Sequence, residues 1–558
     1  MTGPAAPDAR FPAEPLVGSL APYLQRAAAL TALGGDALTT ARLAQATGDL
    51  MLARALLVRS GGLYDHADRE RLLAEQADPA LVAQARLACP EPLKPEGLSG
   101  TLEEMFVRVL AAYLLQENPL AAPQPATRGA AIPPGLWRLP AAPQRKRWDM
   151  ARQALGAQFP PTPVTWAAPL VGERWSAQQV LRAWGHEDVA AGGSAAEIVS
   201  TEQAVSALSA GWSWTLPPLV QLLSRPLVLD SLHTLGREQL EVLSTLLRDA
   251  VRLFGWTVIG LPGLEREWPG AFTLLPGSGE VPPAPPLRPH VEHSSVPELA
   301  REVARAGGHT LVMLSSRGSA ARLAGLLPGR QLLSSSLCSA HLFDRLDDLK
   351  RKRERGEVLR VVATTLPSTE LGHFDEVWHL TAPLPHLVEA SELTQGPLHV
   401  VKLRDVAVPQ DWHLRLEVTE SLLKREADLH APGTQLEYDA LSTVSPSPAW
   451  QRAVNSAHEQ QDFATLAAEL AARPRHSVPV VVPYGPGGEQ TTAQYRRTGR
   501  LDGDALRYVA WLTPSEARRA MMRGQAEEGR WALIWTAPYD DEYGLAAELV
   551  RQARQVEE

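Results

Sequence analysis

The densest group of cations in the sequence lies at residues 350–355, where Lys350, Arg351, Lys352 and Arg353 follow one another. Clustered lysines and arginines bind nucleic-acid phosphates, which requires only cations and hydrogen-bond donors along a groove. The same run also fits an ordinary solvated helix face that precedes a strand. A formal net charge of -9 gives the whole chain no general attraction to phosphate. Nucleic-acid binding would therefore depend on local patches of this kind.

The cysteines and histidines form no recognisable catalytic or metal-binding set. Cys89 and Cys338, the two cysteines, lie far apart and have no second ligand at metal-binding spacing, which argues against a zinc site and a disulfide framework. We find no Ser-His-Asp arrangement and no nucleophilic cysteine. The sequence predicts no metal site. It has no signal-peptide pattern and no apolar stretch of membrane-spanning length, so we expect a cytoplasmic protein without membrane contacts.

Short apolar runs alternate with amphipathic stretches in the middle of the chain. Helical spacing at residues 237–253 and 296–306 predicts crossover helices between strands, and this alternation is typical of parallel sheets covered on both faces. The proline-rich stretch 275–289 would divide the elements into two α/β lobes, with similar stretches at 118–135 and 445–448. The predicted strands are residues 227–230, 256–260, 310–314, 358–364, 377–380 and 398–403.

An alanine- and leucine-rich block precedes the first proline-rich stretch. Residues 38–44, followed by Gly48, have the spacing of a helix-turn-helix, because the apolar positions would face each other and the glycine would form the turn. The block predicts a helical N-terminal domain over residues 1–120, with a winged-helix-like fold as one interpretation. Such a helix pair either binds DNA or serves only as a packing unit.

The strand at residues 227–230 and the residues after it resemble the DEAH-type box of a superfamily 2 helicase. Asp230 and His233 match two positions of the box, and Ser231 stands where that family has the water-activating glutamate. Residues 256–262 resemble the strand that normally carries Ser-Ala-Thr, without its hydroxyl residues. The resemblance implies a degenerate first lobe. The simpler alternative is that Asp230 and His233 only form local hydrogen bonds at the end of a strand.

The second half of the chain resembles the helicase-nuclease of type I CRISPR interference. Residues 356–365 and 374–384 are similar to its fifth and sixth motifs, and residues 477–485, 507–509 and 531–545 are similar to its accessory domain. In that family the sixth motif continues into a Gln-Arg-Ala-Gly-Arg box, whose arginines reach across the cleft to the γ-phosphate. Here the sequence is Glu389-Ala390-Ser391-Glu392-Leu393, so both arginine positions are lost.

The best candidate for a nucleotide-binding loop spans residues 167–175. It contains Gly172, but Glu173 adds an anion, Arg174 replaces the phosphate-binding lysine and Trp175 replaces the magnesium-binding hydroxyl. The resemblance therefore leaves a degenerate nucleotide site made of Gly172, Arg174, Asp230 and His233, with no catalytic residue. We predict no cofactor; weak binding of ATP and magnesium is the alternative.

The family's nuclease is an HD domain that binds metals through several histidines and aspartates. Upstream of His186, the sequence has only His66, and one histidine cannot form that site. The strand-binding surface of a helicase is easier to retain, because backbone contacts need only donors and cations. By resemblance, and with the basic run above, we assign nucleic-acid contacts to Thr201, Ser315, Ser316, Arg317, Thr364 and Thr365.

These resemblances imply an α/β fold with two RecA-like helicase lobes, an N-terminal helical domain and a small C-terminal accessory domain. We predict the lobes at residues 136–275 and 290–410, a helical connector at 411–470 and the accessory domain at 471–558. The implied function is that of a nucleic-acid-binding or structural subunit of an antiviral CRISPR interference complex. Its partners would be DNA, either single-stranded or the target duplex, and other effector subunits or a separate nuclease.

Two alternatives remain open at this stage. The chain could be a divergent but active ATPase that is stimulated by DNA, with a partner that supplies the missing arginine. It could also be a DNA-binding regulator that acts through the helix-turn-helix-like segment at residues 38–48.

Overall fold

The computed structural model describes much of the chain and all of the sheets discussed below. The described residues are 25–35, 37–49, 52–53, 76–91, 132, 135–155, 164–167, 174–175, 177–179, 181, 196–199, 204, 226–235, 237–254, 256–276, 281, 284–327, 329–364, 367, 369–406, 408–409, 412–442, 448–459, 478–499, 501, 505–530 and 532–555.

The N-terminal block contains helices α1 (Ala37–Ala46) and α2 (Pro79–Ala88), and residues 25–34 before them are helical as well. Gly48 follows α1 with a φ of 87°, a left-handed conformation that suits glycine. The buried Arg26 guanidinium pairs with the Asp49 carboxylate and donates to the Cys89 carbonyl oxygen at 3.2 Å. These bonds connect the turn after α1 to the end of α2. Recognition of DNA by this block stays a prediction.

The first lobe contains a sheet of six parallel strands, packed against helices α3 (Gln144–Leu155) and α4 (Arg237–Phe254). The strands are β1 (Gly135–Arg138), β2 (Val164–Ala167), β3 (Ala196–Val199), β4 (Leu227–Leu229), β5 (Thr257–Gly260) and β6 (Thr273–Leu274). Their order across the sheet is β3-β2-β4-β5-β1-β6, and every pairing is parallel.

The two faces of this sheet bury alternate residues of the central strands. Leu227 and Val258 pack against the leucines of α4, while Val228 and Ile259 pack against Trp148 of α3. Successive side chains of a strand point to opposite faces, so a strand that is covered on both sides must be apolar throughout. This explains why β4 and residues 258–259 of β5 are hydrophobic, and the packing of Trp148 fixes α3 against the sheet.

The second lobe repeats this plan with a second six-stranded parallel sheet. Its strands are β7 (Val291–Ser294), β8 (Thr310–Met313), β9 (Gln331–Leu333), β10 (Arg360–Ala363), β11 (Glu376–Leu380) and β12 (Leu398–Leu403), in the order β7-β12-β11-β8-β10-β9. Its helices are α5 (Val296–Arg305), α6 (Arg317–Leu326), α7 (Ser339–Glu354) and α8 (Leu384–Ser391). Residues of α5 and α6 form one buried layer, and residues of α7 and α8 form the other.

A smaller mixed sheet of four strands follows a helical region. The helices are α9 (His413–Lys424), α10 (Pro432–Ser442) and α11 (Pro448–Glu459). The sheet, called the accessory sheet below, is β13 (Val478–Val481), β14 (Val509–Leu512), β15 (Ala526–Glu527) and β16 (Leu533–Trp535), in the order β14-β13-β16-β15. It is accompanied by α12 (Gly485–Thr498), α13 (Pro514–Met522) and α14 (Ala547–Gln555). Helix α14 packs back onto α6 of the second lobe.

The predicted parallel sheets are confirmed. All six predicted strands are present, and their bounds differ from the prediction by up to two residues at the start and one at the end. The proline-rich stretch 118–135 extends one residue too far, because Gly135 already pairs with Thr257 in the first sheet. No helix within the described residues is both long and apolar enough to cross a membrane.

Candidate functional site

Asp230 follows β4 at the carboxyl edge of the first sheet, and its side chain is fully buried. Its Oδ1 accepts hydrogen bonds from Arg147 Nε at 2.9 Å and from the Ser231 backbone N–H at 2.7 Å. Its Oδ2 accepts a hydrogen bond from Trp148 Nε1 at 2.6 Å. Each carboxylate oxygen therefore has a donor from the protein, and the buried negative charge is paired with a buried guanidinium.

Arg147 and Trp148 are adjacent residues of α3, and neither was selected from the sequence. Both are 1% exposed, and Trp148 packs edge-on against Trp166 of β2 with ring centroids 6.0 Å apart. They were missed because they belong to the strongly polar run at residues 144–149. The spacing of Trp148, Ala151 and Leu155 was the available signal, since it marks one face of a helix.

The turn after β4 carries backbone strain. Ser231 has a φ of 55°, and it is one of two non-glycine residues with positive φ within the described part of the chain. Its Oγ accepts a hydrogen bond from Arg147 Nη2 at 3.2 Å. A left-handed non-glycine residue persists only where its surroundings hold it. Arg147 therefore fixes both Asp230 and the strained turn residue Ser231.

His233 connects the first lobe to the second. Its Nδ1 accepts a hydrogen bond from the Gly263 backbone N–H at 2.9 Å, so the ring proton lies on Nε2, which donates to Glu389 Oε1 at 2.6 Å. Burial, and then the Arg147 charge, hold the pKa of His233 well below its usual value. Burial raises the pKa of Glu389 to about 7. A Cβ at position 263 would lie 2.5 Å from His233 Cε1, so the contact requires glycine.

A second carboxylate of the other lobe reaches α3. Glu392 Oε2 accepts a hydrogen bond from the Gln144 backbone N–H at 2.8 Å, at the first residue of that helix. An anion is stabilised there by the free N–H groups and the helix dipole. Burial raises the pKa of Glu392 to about 7. Glu389 and Glu392 therefore place two buried carboxyl groups on the side of the interlobe cleft that faces Asp230 and His233.

Trp175 also joins the two lobes. It is fully buried, packs with apolar residues of the second lobe, and donates from Nε1 to Asp347 Oδ1 of α7 at 2.8 Å. The preceding residue of the candidate loop, Arg174, is half-buried. Gly172 and Glu173 lie outside the described residues. At the position assigned to a magnesium-binding hydroxyl, the protein therefore has an aromatic side chain that fastens one lobe to the other.

Further polar contacts join the first lobe to α10 and to α7 of the second lobe. Arg266 of the first lobe pairs with Asp439 of α10 at 3.3 Å, and the Glu265 backbone N–H donates to Gln435 Oε1 at 2.8 Å. Lys350 Nζ of α7 donates to Gln179 Oε1 at 3.2 Å. The two lobes and the helical region after them thus hold one another through direct bonds.

The predicted nucleic-acid residues of the second lobe have different environments. Ser315 and Thr364 follow the paired parallel strands β8 and β10, so both lie at the same sheet edge. Ser316 caps α6, with its Oγ accepting from the Ser319 N–H at 3.1 Å. The Arg317 guanidinium, whose side chain is 10% exposed, donates to the Glu516 carboxylate and the Trp511 carbonyl oxygen. Thr201 and Thr365 lie outside the described residues.

The basic run forms the last turns of α7, and most of its cations have partners there. Lys352 pairs with Asp348 at 2.8 Å, and Arg353 Nη2 donates to the His373 carbonyl oxygen at 2.5 Å. Arg351 is the most exposed, with Asp348 at 4.0 Å. Cations near a helix C-terminus also interact favourably with its dipole. These contacts fit the interpretation as a helix face, and phosphate binding by Lys350, Arg351, Lys352 and Arg353 stays a prediction.

No protein-family model matches the chain, and no curated protein matches it. Solved structures do. The crystal structure of T. fusca Cas3-ADP has a TM-score of 0.52 and 14% sequence identity, with 93% of this chain and 88% of that chain covered. The crystal structure of T. fusca Cas3-ATP has a TM-score of 0.50 and 14% identity, with 90% and 82% covered.

The chain has a Cas3-like helicase fold. At this identity the likeness concerns the arrangement of sheets and helices, and it extends over most of both chains. It accords with the two parallel sheets described above, which match the RecA-like lobes expected from the sequence.

Proposed function

We propose that this chain is a helicase-like protein that does not hydrolyse ATP, and that it serves as a nucleic-acid-binding or structural subunit of a type I CRISPR interference complex. The carrying observation is the pairing of Asp230 with Arg147 and Trp148 inside a cleft that the second lobe closes with Glu389 and Glu392. The Cas3-like fold supports the choice of complex.

The described residues of the cleft do not fit magnesium and ATP. Magnesium takes six oxygen ligands in near-ideal octahedral geometry and normally keeps several waters. Both oxygens of Asp230 already accept hydrogen bonds from Arg147, Trp148 and the backbone. The Arg147 guanidinium therefore supplies the positive charge that a metal would otherwise bring. Ser231 lacks a carboxylate that could orient the attacking water.

The second lobe presents anions where a transferring phosphate needs cations. Arginine fingers stabilise the transition-state charge, and the loss of one typically costs about 10³–10⁵ in rate. When they are ionised, Glu389 and Glu392 would instead repel a phosphate. An ionised carboxylate also has no proton, so it cannot donate a hydrogen bond to the transferring group. T. fusca Cas3 has been crystallised with ATP and with ADP, so the fold itself accepts a nucleotide. The difference proposed for this chain lies in its side chains.

Nucleic-acid binding would use surfaces outside the interlobe cleft. Ser315 and Thr364 share one edge of the second sheet, which is a suitable place for hydroxyl contacts to a backbone. Such binding should weaken as salt rises, because it depends on phosphate contacts. It should not respond to nucleotide, because a nucleotide that bound at Asp230 would have to break the bonds that Glu389 and Glu392 make to the first lobe.

A steady-state ATPase assay on the full chain, with and without single-stranded DNA, tests the proposal. We expect no magnesium-dependent turnover above that of the Asp230→Ala variant, which serves as the matched background. Robust DNA-stimulated turnover that Asp230→Ala abolishes would contradict the proposal and favour a divergent ATPase.

Membership of a complex requires a separate experiment. We expect the full chain to co-purify with a CRISPR RNA-guided effector complex from the same source, and this association should not depend on ATP. A chain that binds DNA with sequence specificity through residues 38–48 and ignores the effector complex would instead be a regulator.

A further inference from the structure

A pocket of about 360 Å³ lies between α4, α11 and the loop at residues 269–271, and we call it the α11 pocket. Its volume falls within the range of about 300–1,000 Å³ that ligand sites occupy. On α4 it is lined by Glu241, Thr245 and Arg248, whose spacing places them on one flank of the helix. The buried leucines of the same helix pack on the sheet. None of the described lining residues takes part in the interlobe bonds described above.

Trp450 of α11 gives the pocket an aromatic surface. This residue is half-buried, packs against the apolar core of the first lobe, and lines the pocket. Val454, one turn later on α11, and Ala271 of the loop complete the apolar part of the lining. Aromatic side chains of this kind bind flat rings, and base–aromatic contacts tolerate any base because every base has a π-face.

Three polar side chains of the pocket have hydrogen-bonding capacity that the protein does not use. Thr245, Gln451 and Asn455 line the pocket and form no side-chain hydrogen bond to any residue that the structure describes. Gln451 and Asn455 are exposed and Thr245 is half-buried, so a ligand can reach all three. Each amide presents a donor beside an acceptor, which is also the arrangement at the edge of a nucleobase.

The charges of the pocket favour a phosphate over a cation. The Glu241 carboxylate accepts from Arg237 Nε at 3.3 Å, so its charge is partly balanced within its own helix. Arg248 is an exposed cation of the lining. A guanidinium can bind a phosphate through two parallel hydrogen bonds. An aromatic ring, two amides and a guanidinium together match the base and the phosphate of a nucleotide.

We propose that the α11 pocket binds one nucleotide. Its base would pack against Trp450 and bond through its edge to Gln451 and Asn455. Its phosphate would bind Arg248, so binding should not require magnesium. The nucleotide belongs either to a single strand, in which case the inference rests on the nucleic-acid binding proposed above, or to the free mononucleotides of the cell.

Ligand-observed NMR titration of the full chain with thymidine monophosphate tests the pocket. The matched ligands are thymidine, which lacks the phosphate, and deoxyribose phosphate, which lacks the base. For a ligand of this size we expect a dissociation constant on the order of millimolar. Trp450→Leu should weaken the binding of the monophosphate and of thymidine about tenfold. Arg248→Gln should weaken the monophosphate about tenfold and leave thymidine unchanged.

A second pair of substitutions separates ligand contacts from folding, because Trp450→Leu also removes packing on the first lobe. The double variant Gln451→Ala, Asn455→Ala changes two exposed positions, where substitutions usually affect stability little. It should weaken the monophosphate and thymidine about tenfold. Arg452→Gln is the matched control, since Arg452 is an exposed neighbour on α11 that does not line the pocket. It should bind both ligands like the natural sequence.

A short thymidine oligonucleotide distinguishes the two sources of the nucleotide. If the nucleotide belongs to a strand, the oligonucleotide should bind about tenfold or more tightly than the monophosphate, because further phosphates add contacts. Fluorescence anisotropy of a labelled oligonucleotide measures this affinity, which should then fall about tenfold in Trp450→Leu. Equal affinities of the oligonucleotide and the monophosphate would identify the free mononucleotide as the ligand.

The inference is overturned if neither the monophosphate nor the oligonucleotide binds. It is also overturned if both bind equally to the natural sequence, to Trp450→Leu and to the double variant. An oligonucleotide that binds all of these chains equally refutes the pocket but supports a nucleic-acid-binding protein. Monophosphate binding that Trp450→Leu weakens, without any oligonucleotide binding, supports the pocket and contradicts the proposed nucleic-acid binding.

Discussion

The second lobe has two interfaces of opposite character. Toward the first lobe it presents Glu389 and Glu392, which bond directly to His233 and to the N-terminus of α3. Toward the accessory sheet it presents Arg317, which pairs with Glu516. Trp535 of that sheet has a buried indole N–H without an acceptor among the described residues. The first interface thus pairs its buried polar groups, whereas the second leaves a buried donor without a described partner.

The largest expected loss of stability comes from breaking the buried ion pair between Arg147 and Asp230. Arg147→Met leaves the Asp230 carboxylate buried without its cation, which should reduce stability by about 3–5 kcal/mol. The measurement is the thermal unfolding midpoint of the full chain, with Arg145→Met, an exposed neighbour on the same helix, as the control. The double variant Arg147→Met, Asp230→Asn should recover much of the loss. A loss in the single variant no larger than the control's would show that the pair does not support the cleft.

A pair of tryptophan variants compares the two interfaces directly. Trp148→Phe removes a 2.6 Å hydrogen bond to a buried carboxylate, whereas Trp535→Phe removes a donor that has no described partner. Both lose similar volume, so the difference between them should reflect the bond to a charged acceptor, about 1.5–3 kcal/mol. Unfolding midpoints measured under identical conditions give this difference. If both variants lowered the unfolding midpoint equally, the hydrogen bond of Trp148 to Asp230 would not distinguish the first interface from the second.

The junction with the accessory sheet should tolerate less change at Arg317 than elsewhere on the same helix. Arg317→Gln removes the ion pair with Glu516 from a largely buried position, and we expect a loss of about 1–2 kcal/mol. Arg322→Gln on α6 breaks an exposed pair with Asp405 and should cost less. Hydrogen exchange of α13 and β14 would locate the effect. If Arg322→Gln raises amide exchange in α13 and β14 as much as Arg317→Gln does, the ion pair of Arg317 does not hold these elements on the second lobe.

The smallest effect should be a stabilisation. Burial raises the pKa of Glu392 to about 7, so the folded state holds its proton at a pH where the unfolded state has lost it. Stability therefore falls as pH rises between about 4.5 and 7, and the penalty is complete above that range. Glu392→Gln keeps an acceptor for the Gln144 N–H and avoids the charge.

We expect the Glu392→Gln variant to gain about 1 kcal/mol at neutral pH, after allowance for its partial exposure. The gain should grow from pH 5 to pH 7 and then remain constant. Unfolding midpoints across this range provide the test, and a constant difference at every pH would contradict the assigned cause.

The sequence predicted the parallel sheets because strands covered on both faces must be apolar, and β4 and residues 311–313 of β8 show this in their residues alone. Among the strands that it missed are β9, whose three residues begin with a glutamine, and β1, which lies at the end of a proline-rich stretch. Both take their place through pairing with distant strands. Neither has a local pattern long enough to identify it.

The same limit applies to the cleft. Asp230 and His233 could be selected because both follow β4, a recognisable apolar strand, in a pattern that resembles a DEAH-type box. Their partners could not, because Arg147 is 83 residues and Glu389 is 156 residues away along the chain. The sequence analysis singled out Glu389 and Glu392 only by their place after a motif-like segment, and the structure shows that both acids form interlobe contacts.

Magnesium-dependent ATP binding, measured by isothermal titration calorimetry on the full chain, tests the central claim most directly. Because the polar groups of the cleft are bonded to one another, we expect no saturable heat of binding when ATP and magnesium are added to the natural sequence or to Asp230→Ala. Stoichiometric magnesium-dependent binding that Asp230→Ala eliminates would show that Arg147 and the two glutamates yield to a nucleotide, and a permanently closed cleft would then be wrong.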